Sequence, residues 1–212
     1  MRTKTQKLLS DDLLNTLAER GEAYSFEAGE VLIREGDIAD ALYILVHGRL
    51  KAFTRDKKGH ELVLNMLGRG EFFGEMLLDG GRRSASVKAV ASSLCVVVTR
   101  AQLNHFLRDH PEFTERLVTT LIGRLRHATR QLKALALDSV YKRTIDLLND
   151  VAIDRKGARV ILPEYSDQEI ADRVGSTRKS INYVFRDLVR EGYLREADGR
   201  PLTIVSALPK DW

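Results

Sequence analysis

Six apolar residues, Val118, Leu121, Leu125, Ala128, Leu132 and Leu135, follow one another at spacings of 3, 4, 3, 4 and 3. That alternation is the a/d seam of a coiled coil, and it demands one continuous helix. Pro111 suits the first turn of such a helix, so the reading runs from 111 to 136. Around the seam residues stand Arg116, Arg124, Arg126, Arg130 and Lys133, with no acid from 116 to 137. Two outcomes are open: the seam packs on its own domain, or on a second copy in a parallel dimer. A narrow seam on an otherwise basic helix favours the dimer.

Upstream the period changes. Residues 8–20 read as a short amphipathic helix, with Leu9, Leu13, Leu14 and Leu17 on one face and Ser10 as its N-cap. Residues 24–99 are rich in Val, Leu, Ile and Phe. They are broken by Gly29, Gly36-Asp37, Gly48, Lys58-Gly59, Gly68, Gly70 and Gly80-Gly81. Many short strands between evenly spaced turn signals indicate an all-β sandwich or barrel.

Downstream, 139–152 carries Val140, Ile145, Leu148 and Val151 at helical spacing. Ser166-Asp-Gln-Glu169 matches a capping box and opens a short helix that buries Ile170, Ala171 and Val174 and ends at Gly175. Ser176 or Thr177 caps a second helix to about Glu191, which buries Ile181, Val184, Phe185 and Leu188. Tyr193–Arg195 and Leu202–Val205 are strand-like and flank Asp198-Gly199, a hairpin signal. Two helices across a glycine turn, followed by a hairpin, describe a winged helix-turn-helix.

In that arrangement Thr177, Arg178, Lys179, Ser180, Asn182 and Tyr183 face outward near the start of the second helix, and Arg186 and Arg190 follow. Arg178 suits a guanine, whose O6 and N7 accept a bidentate guanidinium. Thr177 and Ser180 suit phosphate oxygens, and Lys179 suits a phosphate or a base. Gln168, on the preceding helix, joins the DNA-contacting set.

Phe73-Gly74-Glu75-Met76 and Arg83-Ser84-Ala85 close the strand zone. Arg83, the Ser84 hydroxyl and the backbone beside Gly74 could hold a cyclic phosphate, with Glu75 accepting from a ribose hydroxyl. The alternative is a partly buried Glu75–Arg83 ion pair, and the residues alone leave the two open.

Composition narrows the classes. The chain has 212 residues, 43% hydrophobic and 30% charged, with a net charge of +4. The charge is +3 before Ser139 and +1 from there on, so a nucleic-acid surface must be a local patch. No run approaches the roughly 18 apolar residues of a membrane span. Met1–Ser10 is basic and polar without an apolar core, so the reading is cytoplasmic and not membrane-bound. The single cysteine, Cys95, rules out a disulfide framework and reads as a core filler. The five histidines show no ligand spacing, so no metal site is expected. G-x-S-x-G, H-E-x-x-H and Walker A segments are absent, which argues against an enzyme.

Taken in order, these motifs resemble the Crp–Fnr superfamily of bacterial transcription regulators over about residues 8–206. Gly29–Asp37 and Leu42–Gly48 look like the opening strands of its cyclic-nucleotide-binding barrel. Phe73–Met76 through Arg83–Val87 look like its phosphate-binding cassette, 111–136 like its dimer helix, and Ser166–Leu194 like its helix-turn-helix.

The resemblance implies an α+β chain in three parts. Residues 1–110 form a jelly-roll β-barrel, 111–138 a dimerisation helix and 139–212 a winged helix-turn-helix DNA-binding domain. It implies a homodimer on pseudo-palindromic double-stranded DNA, RNA polymerase as a partner, no required cofactor, and a small effector in the barrel. Cyclic AMP (cAMP) leads. Cyclic GMP (cGMP), a cyclic dinucleotide, another metabolite or no effector are the alternatives. Carried over by position, Gly74, Glu75, Met76, Arg83 and Ser84 line the effector site. Glu75 takes the ribose 2′-hydroxyl, Arg83 and Ser84 the phosphate, and Thr129 reaches the base across the dimer.

Three positions depart from the pattern. The cassette is one residue short between Glu75 and Arg83, and Arg82 stands where proline is common. Ala128 stands where cAMP-binding members often have threonine. On the reading helix, Lys179 and Tyr183 replace a glutamate and an arginine, so the DNA half-site is expected to differ at one or two positions.

Overall fold

The structure is a computed structural model that describes residues 12–155, 158–162, 165–197 and 200–209. Leu9, Ser10 and the Asp198-Gly199 turn lie outside the described residues. The chain divides into two compact units, 1–54 with 64–125, and 55–63 with 126–212.

In the N-terminal part, α1 (Asp12–Ala18) precedes eight strands: β1 (Glu22–Phe26), β2 (Val31–Ile33), β3 (Ala41–His47), β4 (Leu50–Arg55), β5 (Glu61–Leu67), β6 (Phe72–Phe73), β7 (Ser86–Ala89) and β8 (Ser93–Thr99), all in the first unit except Arg55 of β4 and residues 61–63 of β5. They form two four-stranded sheets, ordered β1-β8-β3-β6 and β2-β7-β4-β5. This double sheet is the sandwich or barrel expected from the strand zone, in the jelly-roll form that the resemblance implies.

Strand alternation supplies two cores. Leu42, Ile44 and Val46 of β3 pack with Leu14, Leu17, Phe72, Val96, Phe106, Phe113 and Leu117 beneath the helices. Leu45 points the other way, into the barrel, with Ile33, Leu50, Phe73, Val87 and Cys95. Burial pushes the Cys95 thiol up to about 12. Both faces of this sheet are therefore apolar, and β3 carries the continuous run Ala-Leu-Tyr-Ile-Leu-Val. The link from β3 to β4 turns at Gly48 (φ 97°), where a Cβ would collide with Ser93.

α2 (Arg100–Asp109) follows β8 directly, a helix that the strand reading of the sequence leaves out. Thr99 caps it: its hydroxyl accepts from Gln102 N–H at 3.3 Å, and Gln102 Oε1 accepts from Thr99 N–H at 2.8 Å. α3 (Pro111–Leu137) starts at the expected proline. Phe113 and Leu117 anchor it to the first core. Phe113 meets the Phe106 ring edge-on at 5.2 Å.

The second unit holds the end of α3, α4 (Val140–Val151), β9 (Ile153–Arg155), β10 (Ala158–Val160), α5 (Asp167–Val174), α6 (Arg178–Arg190), β11 (Leu194–Ala197) and β12 (Arg200–Ile204). α4 is capped by Ser139, whose hydroxyl accepts from Lys142 N–H at 3.1 Å. α4, α5 and α6 bury Ile145, Leu148, Ile170, Ala171, Ile181, Val184, Phe185 and Leu188 in one core. The wing is a four-stranded antiparallel sheet, β11-β12-β10-β9, and so larger than the expected hairpin. No helix of the described residues is long and apolar enough to cross a membrane.

Candidate effector pocket and nucleic-acid interface

The cassette turns at Gly74, whose φ of 86° favours glycine. A Cβ there would stand 2.8 Å from Arg83 Nη1 and 3.0 Å from the Ala41 carbonyl. A 3-10 turn, Glu75–Leu78, follows. Met76 is half-buried and packs against the first core.

Arg83 is buried under this turn, its side chain 4% exposed. Its guanidinium donates to Gly74 O at 2.9 Å, Ala41 O at 2.9 Å and Asp40 Oδ1 at 3.2 Å. Three of its five N–H donors are thereby used. The Tyr43 ring lies 5.8 Å away. Ser84, next in the chain, is exposed.

Glu75 does not pair with Arg83. Its Oε2 accepts from Arg124 Nη1 of α3 at 2.7 Å, and the side chains are 15% and 24% exposed. Arg124 also donates to the Phe72 carbonyl and stacks 5.4 Å over the Phe72 ring. The Glu75–Arg83 ion pair that the sequence left open is thus replaced by two pairs, Glu75–Arg124 and Arg83–Asp40. In the sequence, Arg124 is one of a run of basic residues on α3. Only the fold singles it out, because its partner is 49 residues away.

The seam residues of α3 are largely uncovered in the single chain. Val118 is 49% exposed, Leu125 68% and Leu132 67%, and only Leu121 packs against the first core. Thr129 lies on the exposed part of α3 assigned to the second unit. Among the described residues, no group of three or more His, Cys, Asp or Glu is placed to hold a metal ion.

In the helix-turn-helix, the Ser166 hydroxyl accepts from Glu169 N–H at 3.1 Å, and the Glu169 carboxylate accepts from Arg173 Nε at 3.1 Å. Gln168 is exposed and donates to Asp172 at 2.7 Å. Gly175 ends α5 in the left-handed region, φ 68°. Thr177 is the N-cap of α6, and its hydroxyl accepts from Ser180 N–H at 3.2 Å and meets the Ser180 hydroxyl at 2.9 Å. Both hydroxyls expected on phosphate thus also fix the start of the helix. Arg178, Lys179, Tyr183 and Arg186 are exposed, and the Arg186 guanidinium lies 5.8 Å from the Tyr183 ring centre. Asn182 is half-buried beside Asp167. Asp167, Arg178, Lys179, Asn182 and Arg186 line, with Phe185 and with Glu196 of β11, a concave surface of about 610 Å³.

Arg143 of α4 is a residue the sequence reading did not single out. It donates to Asp138 O at 2.7 Å, Val174 O at 3.0 Å and Gly175 O at 3.5 Å. One guanidinium thereby ties the end of α3 to the turn before the reading helix.

Known proteins share this arrangement. The Cyclic nucleotide-binding domain family matches residues 24–110, and the Crp-like helix-turn-helix domain family matches residues 115–207. The cyclic AMP receptor protein of Thermus thermophilus is 31% identical over 175 residues, 82% of this chain and 80% of that one. A CRP-like cAMP-activated global transcriptional regulator of Mycobacterium tuberculosis is 28% identical over 184 residues, 84% of this chain and 82% of that one. In fold, the chain superposes on the c-di-GMP responsive global regulator CLP of Xanthomonas campestris. The TM-score is 0.83 at 22% identity, covering 92% of this chain and 98% of that one. A cyclic-nucleotide-binding jelly roll, a long helix and a Crp-like helix-turn-helix occur here in one order, and the chain belongs to the CRP/FNR family of transcription regulators, which bind DNA and are not enzymes.

Proposed function

We propose that this regulator works as a homodimer joined through α3, binds a pseudo-palindromic double-stranded DNA site and is controlled by cAMP held in the barrel. The exposed apolar seam supports the dimer: about 25 cal/mol per Å² of apolar surface removed from water is gained by covering it. Residues 1–110 act as effector domain, 111–138 as dimer helix and 139–212 as DNA-binding domain. The regulator acts in the cytoplasm, needs no resident cofactor and meets RNA polymerase at its promoters.

The cassette carries the reading of the effector. Gly74, Glu75, Met76, Arg83 and Ser84 surround the ligand's ribose and phosphate. Glu75 keeps a carboxylate oxygen for a ribose hydroxyl while Arg124 holds the other, and Arg83 retains two N–H donors for the phosphate. Thr129 of the second protomer hydrogen-bonds the base. On DNA, Arg178 takes a guanine in each half-site, Lys179, Tyr183 and Asn182 face neighbouring bases, and Gln168, Thr177, Ser180 and Arg186 contact phosphates. The names of the Thermus and Mycobacterium relatives favour cAMP over cGMP.

A second reading keeps the DNA-binding role with cGMP, a cyclic dinucleotide, another metabolite or no effector. The Arg83–Asp40 pair favours it, because an anion already faces the phosphate-binding guanidinium.

Calorimetric titration of the full chain with cAMP, with cGMP as control, tests the effector. Glu75→Ala with Ser84→Ala is the informative variant, because Arg83 also holds two backbone carbonyls. Micromolar binding that this variant loses supports the cassette. No heat with either nucleotide at two temperatures leaves only the second reading without cGMP, with a cyclic dinucleotide, another metabolite or no effector. Sedimentation of the free chain tests the dimer, and a monomer at micromolar concentration overturns it.

A further inference from the structure

The reading helix is not alone at its interface, because a carboxylate from α5 reaches it. With the Asn182 amide turned so that its nitrogen faces acceptors, Nδ2 donates to Asp167 Oδ2 at 3.2 Å and to Arg178 O at 3.2 Å. Those two bonds use both protons of the amide nitrogen. What Asn182 then has left for a ligand is Oδ1, an acceptor.

An asparagine with both ends available pairs bidentately with adenine, accepting from N6–H and donating to N7. An asparagine whose nitrogen is already bound can only accept. The major groove offers two such donors, adenine N6–H₂ and cytosine N4–H₂, while guanine and thymine present acceptors at the corresponding atoms. Asp167 itself lines the same concave surface as Arg178, Lys179 and Arg186. A carboxylate there weakens attraction to phosphates at every sequence, so general affinity does not account for its presence.

We infer that Asp167 is a positioning residue for specificity: by holding the Asn182 nitrogen it makes Asn182 an acceptor-only reader, which admits adenine or cytosine at one position of the half-site and does not select adenine alone. This rests on the reading of α6 as the recognition helix.

Site selection from randomised duplex DNA tests it, using the full chain with saturating cAMP and in parallel without. The wild type is expected to enrich a site in which one position accepts adenine and cytosine within about twofold of each other. Asp167→Ala frees one N–H of the amide, enough to donate to adenine N7, and that position is expected to shift to adenine by about fivefold, the low end of what a bidentate pair discriminates. Asp167→Asn, which keeps an acceptor oxygen, is expected to preserve the mixed position. In an Asn182→Ala background, Asp167→Ala is expected to change no base preference.

Removal of the negative charge also raises affinity for all sequences, so overall affinity is not the readout. The base preference is, because loss of charge or of helix stability would not move it at one position. Identical preferences for wild type and Asp167→Ala overturn this inference and leave the DNA-binding role intact. A wild-type chain that enriches no site under either condition overturns the recognition-helix reading and this inference with it.

Discussion

Replacing Arg143 by alanine removes the clamp between α3 and the helix-turn-helix. Two of its bonds are short, 2.7 Å to Asp138 O and 3.0 Å to Val174 O, and the third, at 3.5 Å to Gly175 O, is at the limit of a hydrogen bond. A bond from a charged donor contributes about 1.5–3 kcal/mol when buried, and these are only partly buried. Counting the two short bonds at about 1–2 kcal/mol each gives a loss of about 2–4 kcal/mol. A unit of this size holds on the order of 5–14 kcal/mol in total. The loss is therefore a large share of its stability. At about 4–8 °C per kcal/mol, even the low end lowers the melting midpoint by about 8–16 °C. Scanning calorimetry of the full chain reads the midpoint, and hydrogen exchange locates the loss in α4, α5 and α6. Arg143→Lys, with one flexible ammonium, should fall between wild type and alanine. A midpoint within about 3 °C of wild type for Arg143→Ala would refute the clamp, since it is below what one such bond contributes.

Gly175→Ala meets both a φ of 68° and a Cβ only 2.9 Å from Leu135 and 3.0 Å from Leu62, so it should lose more than the ~1 kcal/mol of left-handed strain alone, read as a lower midpoint. Cys95 should resist a thiol reagent at pH 8 while the chain is folded and react on unfolding, because burial holds it at about 12; labelling of the folded chain within minutes would contradict the buried setting. The sign for stability follows: above the thiol's ordinary 9.0 the unfolded chain loses a proton that the folded chain keeps, so stability falls as pH rises from there toward 12. Arg178→Ala should weaken binding to the selected DNA site about 5- to 150-fold and relax it at one guanine, by band shift at fixed salt; an equal loss on random DNA would make Arg178 a phosphate contact.

Local signals were legible and distant ones were not. The caps of α5 and α6 are side chains bonding to a backbone N–H three residues on, and Ser166 and Thr177 were readable as such. The heptad stripe was readable for the same reason, since its period lies within one helix. α2 was missed although Thr99-x-x-Gln102 is a capping box. β8 runs into it with no glycine or proline between, and a run of Val residues drew the strand reading to its end. β9 and β10, three residues each, are too short to show alternation. In the cassette, Gly74, Glu75, Arg83 and Ser84 could be picked out by residue type. Their partners could not, because Asp40 and Arg124 are 43 and 49 residues away and only the sheet and α3 bring them in.

Those distant partners have a consequence for the effector. Arg83 and Asp40 neutralise one another, as do Glu75 and Arg124, so the cassette already balances its charge without a ligand. On the proposed site, a cyclic phosphate would add one negative charge, and the guanidinium it would approach still faces Asp40. Arg83 is buried, but the Asp40 side chain is 82% exposed, so the carboxylate can turn into water at little cost. An ion pair with one partner so exposed contributes about 0.2–1 kcal/mol. Asp40→Asn keeps the shape, removes the competing charge and should tighten cAMP binding by that amount, about 1.5- to 5-fold by calorimetry, with the gain larger at low salt. Arg83 stays anchored in this variant by the Gly74 and Ala41 carbonyls, so a weakened or unchanged affinity could not be blamed on a lost guanidinium position. An unchanged affinity would mean that Asp40 does not compete with the ligand for Arg83, and a weakened one that the Asp40 carboxylate itself belongs to the binding site.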